Sequence, residues 1–229
     1  MAECFAAVRA AKSARMPPIR NVVFMGQGEP LDNLVAVGES LEALTHPHAF
    51  GFHKKHVCVS TVGPSPQSIA ALAPLPARLA WSVHAADDGL RKLLVPTTRH
   101  PMSELRDAFH NVLEQRGGAS GSLLVETTLI DGVNDDASAA SDLIQLLAPL
   151  PGKLRINLIP YNVNVGLGPL GASFRPSHPE KIVTFQRAVL SEGIICTVRK
   201  QRGDESAAAC GQLATRHVYG RGSVTPAKS

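Results

Sequence analysis

Residues 21–33 read NVVFMGQGEPLDN, an apolar and partly β-branched run that leads into a loop with two glycines and a proline. The run at 22–25 is typical of a buried strand. Glycines let the loop turn sharply and let a ligand approach the backbone closely. Glu29 then lies at the C-terminal end of a core strand, the edge of an α/β sheet where ligands bind. Its carboxylate either binds an ammonium group or sugar hydroxyl, or is an exposed residue of a Gly-Pro turn.

The composition indicates an ordinary globular protein. The 229 residues are 44% hydrophobic and 18% charged, with a net charge of +4, which suits one α/β domain with a hydrophobic core. The basic balance is compatible with a polyanionic partner but does not identify one. No run approaches the ~18 apolar residues of a membrane span, and the N-terminus lacks a secretory signal pattern. Cysteines occur at 4, 58, 196 and 210, a spacing that favours free thiols in a reducing compartment such as the cytoplasm.

Strands and helices are predicted in regular alternation. The predicted strands are 22–25, 56–62, 78–83, 122–130, 154–161 and 194–199, and the predicted helices are 2–15, 34–44, 66–72, 102–115, 136–147 and 179–192. This order is typical of a mainly parallel sheet with right-handed crossovers. Because no linker-like segment interrupts it, we expect one domain over residues 1–213, followed by a polar and mobile tail at 214–229.

Several predicted strands end in small or polar residues. They are Gly28 and Glu29 after the first, Ser60 and Thr61 in the second, Ser82 and His84 at the third, and Asn162 after the fifth. Parallel strands bring such ends to one edge of the sheet. A single polar residue at a strand end is ordinarily part of a turn. Because four strands have polar ends at the same edge, a ligand site is as good an interpretation as a set of turns.

The same segments carry a family resemblance. The motifs GQGEPLDN, VSTVG, WSVHA, LIPYN and RGDESAAACGQL, together with LLVPTTRHP and LIDGVND, closely resemble the RlmN/Cfr-type radical S-adenosylmethionine (SAM) methyltransferases. The likeness runs in order from about residue 3 to about residue 215. Members of that family methylate carbon 2 or carbon 8 of an adenine in 23S ribosomal RNA, and some also act on transfer RNA. The resemblance implies an α/β fold, a partial (βα)6 TIM-like radical SAM barrel, here without its first strand.

The resemblance also implies roles for individual residues. Gly28 and Glu29 match the loop that holds the SAM amino group. The other SAM-contacting positions match Ser60, Ser82, Val83, His84 and Asn162, and Cys210 matches the cysteine that becomes S-methylated. In the family, one SAM methylates this cysteine and a second is cleaved at an iron–sulfur cluster to give a radical, which activates the methyl group for addition to adenine.

One family motif does not occur in this sequence. The family binds its 4Fe–4S cluster through CxxxCxxC, and no such motif is present, so we assign no metal ligand. Cys4 lies in a predicted helix, whereas Cys58 and Cys196 lie in predicted strands, where a buried thiol is an ordinary apolar residue. We therefore interpret the chain as the C-terminal portion of a monomeric RNA methyltransferase that is inactive by itself. The alternative is a degenerate, non-catalytic homologue that retains a SAM- or RNA-binding surface.

Overall fold

The chain forms one parallel β-sheet. The computed structural model describes residues 2–26, 28–97, 99–163 and 173–199, and within them the spatial order of the six strands equals their order in the sequence. Strands β1 to β6 are Val22–Phe24, Val57–Thr61, Arg78–Ser82, Ser122–Leu129, Lys153–Pro160 and Ile195–Val198. Every neighbouring pair is parallel. The predicted α/β class and parallel sheet are confirmed, and the sheet is open because β1 and β6 do not pair.

Seven α-helices with described bounds accompany the strands. Helices α1 to α7 are Ala2–Ser13, Leu34–Thr45, Pro66–Ala70, Asp88–Leu94, Met102–Gln115, Ala137–Leu147 and Pro179–Ser191. The six predicted helices agree with these bounds to within about two residues, the usual uncertainty of helix ends. The sequence prediction missed α4, which is short, contains a glycine and buries an arginine, Arg91, rather than an apolar stripe.

The hydrophobic core lies between the sheet and its helices. Four fully buried residues, one from each of β2 to β5, lie on the same face of the sheet: Val59, Trp81, Val125 and Ile156. The ring of Trp81 stacks on Phe109 of α5 with their centroids 4.6 Å apart, a spacing at which aromatic pairs attract. Because side chains alternate along a strand, the intervening residues point to the opposite side of the sheet, which we call the inner face.

The β1 edge is sparsely covered. Val23 and Met25 are 49% and 38% exposed, and α1 buries none of its residues completely. No helix in the described part of the chain is both long and apolar enough to cross a membrane. The predicted tail at 214–229 and Cys210 lie outside the described residues.

Candidate functional site

The loop after β1 is held by Glu29. Gly26 and Gly28 have φ angles of 145° and 81°, which other residues adopt only with strain. Glu29 Oε1 accepts from the Leu31 amide at 3.1 Å, and Oε2 accepts from the Val62 amide at 2.9 Å. The half-buried carboxylate therefore caps a short 3-10 helix and ties the β1 loop to the end of β2. Its remaining lone pairs are available to a ligand.

A row of polar side chains crosses the inner face. Ser60 Oγ lies 3.4 Å from Ser82 Oγ and donates to Glu126 Oε2 at 3.2 Å. Asn157 Nδ2 donates to Glu126 Oε1 at 3.4 Å, and Thr197 Oγ1 donates to Asn157 Oδ1 at 3.1 Å. The strand register explains this arrangement, because Ser82, Glu126, Asn157 and Thr197 are successive partners across four strands. We call these five residues, which belong to β2 through β6, the polar row.

Glu126 is the charged member of the polar row. It is 4% exposed, and Ser60 is 6% exposed. Among the described residues, no lysine, arginine or histidine forms an ion pair with it. A carboxylate inside a fold is ordinarily paired or fully hydrogen-bonded. The inner face therefore contains a carboxylate whose hydrogen-bond donors are all neutral.

Arg91 supports the strand ends from α4. The side chain is 2% exposed and donates from Nη1 to the Ser82 carbonyl at 2.8 Å and from Nη2 to the Val62 carbonyl at 2.6 Å. It also donates to the carbonyl of Val83. Burial lowers the pKa of Arg91 to about 10, an effect that the negative charge of Glu29 opposes. One guanidinium thus fixes the C-terminal ends of β2 and β3 relative to each other.

His84 follows β3 in a left-handed conformation. Its φ is 56°, uncommon for a residue other than glycine. Nδ1 accepts from the Thr128 amide at 3.1 Å, so the neutral ring has its proton on Nε2. Burial, and secondarily the charge of Arg91, lowers the pKa of His84 to about 4. The imidazole is therefore neutral at physiological pH.

The LIDGVND segment holds the His84 backbone. Asn134 is 2% exposed. Its Nδ2 donates to the carbonyls of His84 and Thr128, both at 2.7 Å, and its Oδ1 accepts from the Ile130 amide at 2.8 Å. The next residue, Asp135, accepts from Lys181 of α7 at 3.3 Å. The segment therefore connects the end of β3 to helix α7.

A shallow cleft on the helix-covered side also borders His84. Asp87, Leu90, Thr127 and Phe185 are among its lining residues. The Thr127 hydroxyl is buried there and has no hydrogen-bond partner in the described part of the chain. Thr127 and Glu126 are consecutive in β4 and point to opposite sides, so this cleft is separate from the polar row.

The structure brings several of the sequence-predicted site residues together. Ser60 and Ser82 are neighbours, and Val83 and His84 continue directly from Ser82. Glu29 connects to them through Val62 and Arg91, as described above. Gly28 is exposed in the β1 loop, and Asn162 is half-buried just beyond β5. Within the described part of the chain, no hydrogen bond joins the side chain of Asn162 to the other site residues, and Cys210 is not among the described residues.

Sequence reasoning did not select the residues that organise this edge. Glu126, Asn157, Thr197, Arg91 and Asn134 form its hydrogen-bond network. One signal was available, because a glutamate in the middle of the apolar strand SLLVETTLI requires polar partners.

The described cysteines do not suit an iron–sulfur cluster. Burial raises the pKa values of Cys58 and Cys196 to about 11, which disfavours the thiolates that cluster iron requires. The two residues lie in β2 and β6, which are separated by three strands of the sheet. Among the described residues, no three histidine, cysteine or acidic side chains are grouped as metal ligands. These residues therefore do not form a cluster site.

Comparison with known proteins identifies relatives along most of the chain. No protein-family model matches. The chain is 41% identical over 199 residues to "Dual-specificity RNA methyltransferase RlmN" of Sorangium cellulosum, covering 85% of this chain and 48% of the relative. It thus spans about half the length of this curated relative.

Solved structures give the same picture. A radical SAM methyltransferase from Sphaerobacter thermophilus superimposes with a TM-score of 0.82 and 36% identity, over 92% of this chain and 59% of that one. A domain of pyruvate-formate lyase-activating enzyme from Bacteroides vulgatus shares the fold, with a TM-score of 0.60 and 19% identity over 79% of this chain and 99% of that one. With its motifs, its open parallel sheet and these relatives taken together, the chain belongs to the RlmN/Cfr-type family of radical SAM methyltransferases.

Proposed function

We propose that this chain is the SAM-binding part of a radical SAM RNA methyltransferase that modifies adenine. The observation that supports this most is the meeting of Ser60, Ser82, Val83 and His84 at one edge of the sheet, since family resemblance relates all four to SAM. The expected product is an adenine methylated at carbon 2, in 23S ribosomal RNA and also in transfer RNA. The identity to a protein named as a dual-specificity RNA methyltransferase supports RNA as the substrate.

In this proposal, the residues of the chain bind and orient the cofactor. Glu29 provides a negative charge for the SAM ammonium group while capping the β1 loop. His84 presents a neutral ring, and its backbone is fixed by Asn134. Arg91 sets the spacing between the ends of β2 and β3. SAM supplies the methyl group, and Cys210 is the residue that receives it.

The described cysteines lack the properties of cluster ligands, so we propose that the 229-residue chain alone does not cleave SAM. The same observation favours the second candidate function, a non-catalytic homologue that binds SAM or RNA. Anaerobic reconstitution of the chain, followed by iron analysis, tests this point directly. A stable four-iron cluster would contradict our assignment of the cysteines.

The catalytic proposal is tested in the longest polypeptide that the gene encodes. After reconstitution, it is incubated with SAM, a reductant and a 23S ribosomal RNA fragment, and the digested nucleosides are analysed by mass spectrometry. We expect 2-methyladenosine from the unaltered protein and from Cys196→Ala, and none from Cys210→Ala. Retained methylation in Cys210→Ala would refute the role of that cysteine, and an inactive full-length protein with normal SAM binding would favour the non-catalytic homologue.

A further inference from the structure

The polar row has a defined direction of hydrogen bonding. In its ionised form, the side chain of Glu126 only accepts hydrogen bonds. The single proton of the Ser60 hydroxyl is directed to it at 3.2 Å. Ser82 must then be the donor in its 3.4 Å contact with Ser60. On the other side, the Asn157 amide donates to Glu126 and accepts from Thr197. Ser60 and Asn157 therefore both donate toward Glu126. The single proton of Thr197, at the end of the row, is shared between Asn157 Oδ1 at 3.1 Å and the Ile156 carbonyl at 3.4 Å.

This direction leaves lone pairs, and not protons, for a ligand. The hydroxyl protons of Ser60 and Ser82 both form hydrogen bonds within the row. Only the lone pairs of their oxygen atoms then remain to bind a ligand. The inner face thus presents an accepting surface. A ligand group that also only accepts, such as a carboxylate or carbonyl, would be repelled there.

The carboxylate also has unused capacity. An ionised carboxyl group offers about four acceptor sites. Its two side-chain contacts, at 3.2 and 3.4 Å, are longer than the roughly 2.5–2.9 Å of charge-assisted hydrogen bonds. A buried negative charge served by two long, neutral donors is incompletely compensated.

We propose that Glu126 is a positioning residue that makes the polar row a site for hydrogen-bond donors of the ligand, either hydroxyl or amino groups. This inference rests on the proposed SAM site and adds to it: Glu126 determines which chemical group can face Ser60. A Glu126→Gln variant keeps the shape of the side chain, but its amide can donate to Ser60. The Ser60 proton is then free to turn toward the ligand, and the preference for donors is lost.

The test compares how much the loss of one ligand group weakens binding in the unaltered protein and in Glu126→Gln. S-adenosylhomocysteine and its 2′-deoxy, 3′-deoxy and desamino counterparts are titrated into the 229-residue chain to millimolar concentration, with ligand-observed NMR as the readout. In the unaltered protein, loss of the relevant donor should weaken binding about tenfold, as expected for a hydrogen bond within a charged network. In Glu126→Gln the same loss should cost less than about twofold. The deoxy and desamino compounds distinguish a sugar hydroxyl from the amino group as that donor.

Thr127→Val is the matched control, because it alters the neighbouring residue of β4 on the opposite side of the sheet. It should reproduce the unaltered protein for every ligand. Circular dichroism and thermal unfolding verify that each variant is folded, and an unfolded Glu126→Gln is replaced by Ser60→Ala, which should lose the same discrimination.

The possible failures are distinct. Equal weakening of all four ligands by Glu126→Gln, or no change for any of them, refutes the positioning role and leaves the SAM site in place. Absence of S-adenosylhomocysteine binding to the unaltered chain at millimolar concentration refutes the proposed SAM site, and this inference with it.

Discussion

The side-chain amide of Asn134 donates to the carbonyl oxygen of His84 at 2.7 Å, across 50 positions of sequence. The same side chain satisfies the Thr128 carbonyl and the Ile130 amide. Two separate loops at the end of the sheet are therefore held by one buried residue, which hydrogen-bonds the carbonyl of the left-handed His84.

Replacement of Asn134 by alanine should destabilise the protein strongly. The change removes the side-chain partner of three buried or partly buried backbone groups, which is expected to lower the free energy of unfolding by about 3 kcal/mol. Urea denaturation measures this value. Asn111→Ala, on the exposed side of α5, is the control and should remain within about 0.5 kcal/mol. A similarly small effect at Asn134 would show that water replaces its hydrogen bonds.

His84 should make the protein less stable in acid. Its folded pKa of about 4 is below the ordinary value of 6.5, so between these pH values the unfolded chain binds a proton that the folded chain does not. Stability is therefore retained at neutral pH and falls as the pH decreases from 6.5 to 4, by about 3 kcal/mol at most. Below pH 4 this residue adds no further dependence.

His84→Asn isolates that contribution. Asparagine tolerates the left-handed backbone and offers an acceptor to the Thr128 amide, but it does not titrate. Urea unfolding at a series of pH values should give a flatter profile for this variant than for the unaltered protein. His48→Asn, at an exposed histidine, should leave the profile unchanged. If His84→Asn has the same slope as the unaltered protein, another group causes the acid sensitivity.

Glu29 should influence SAM binding more than folding. Glu29→Gln retains one acceptor oxygen for the two amides that the carboxylate now serves but removes the negative charge. We expect SAM affinity to fall about tenfold, and the free energy of unfolding to fall by only about 1 kcal/mol. Equilibrium dialysis and urea unfolding measure the two effects. Glu42→Gln on the exposed surface of α2 controls for net charge, and unaltered SAM affinity in Glu29→Gln would leave Glu29 only its loop-capping role.

Cys58 and Cys196 should resist alkylation in the folded protein. Their pKa values of about 11, against an ordinary 9.0, reduce the thiolate fraction at pH 8 about a hundredfold. Iodoacetamide labelling followed by peptide mass spectrometry should show both residues reacting at least that much more slowly in the native chain than in guanidinium. Comparable rates in the two conditions would mean that β2 and β6 open readily.

The parallel sheet was predictable because alternating apolar strands and amphipathic helices permit few other arrangements. The convergence of Ser60, Ser82 and His84 followed from the same rule, since parallel strands share one end. Helix α4 was not predictable by apolar spacing, because its buried residue is Arg91, whose burial is compensated by three backbone carbonyls. Such compensation depends on the positions of β2 and β3, which local sequence does not report.

The polar row shows the same limit. Its members come from five strands, and they meet only because the register aligns Ser82, Glu126, Asn157 and Thr197. A glutamate within an apolar strand indicates that polar partners exist, but it does not identify them.

The agreement between strand order and chain order has a consequence for biosynthesis. Each strand after β1, once translated, finds a partner already present, since that partner is the strand made just before it. Assembly can therefore proceed by addition at one growing edge, and each step closes only the single crossover segment between neighbouring strands. During synthesis the chain exposes a succession of temporary strand edges, and on the C-terminal side of the described sheet β6 is the last of them to form.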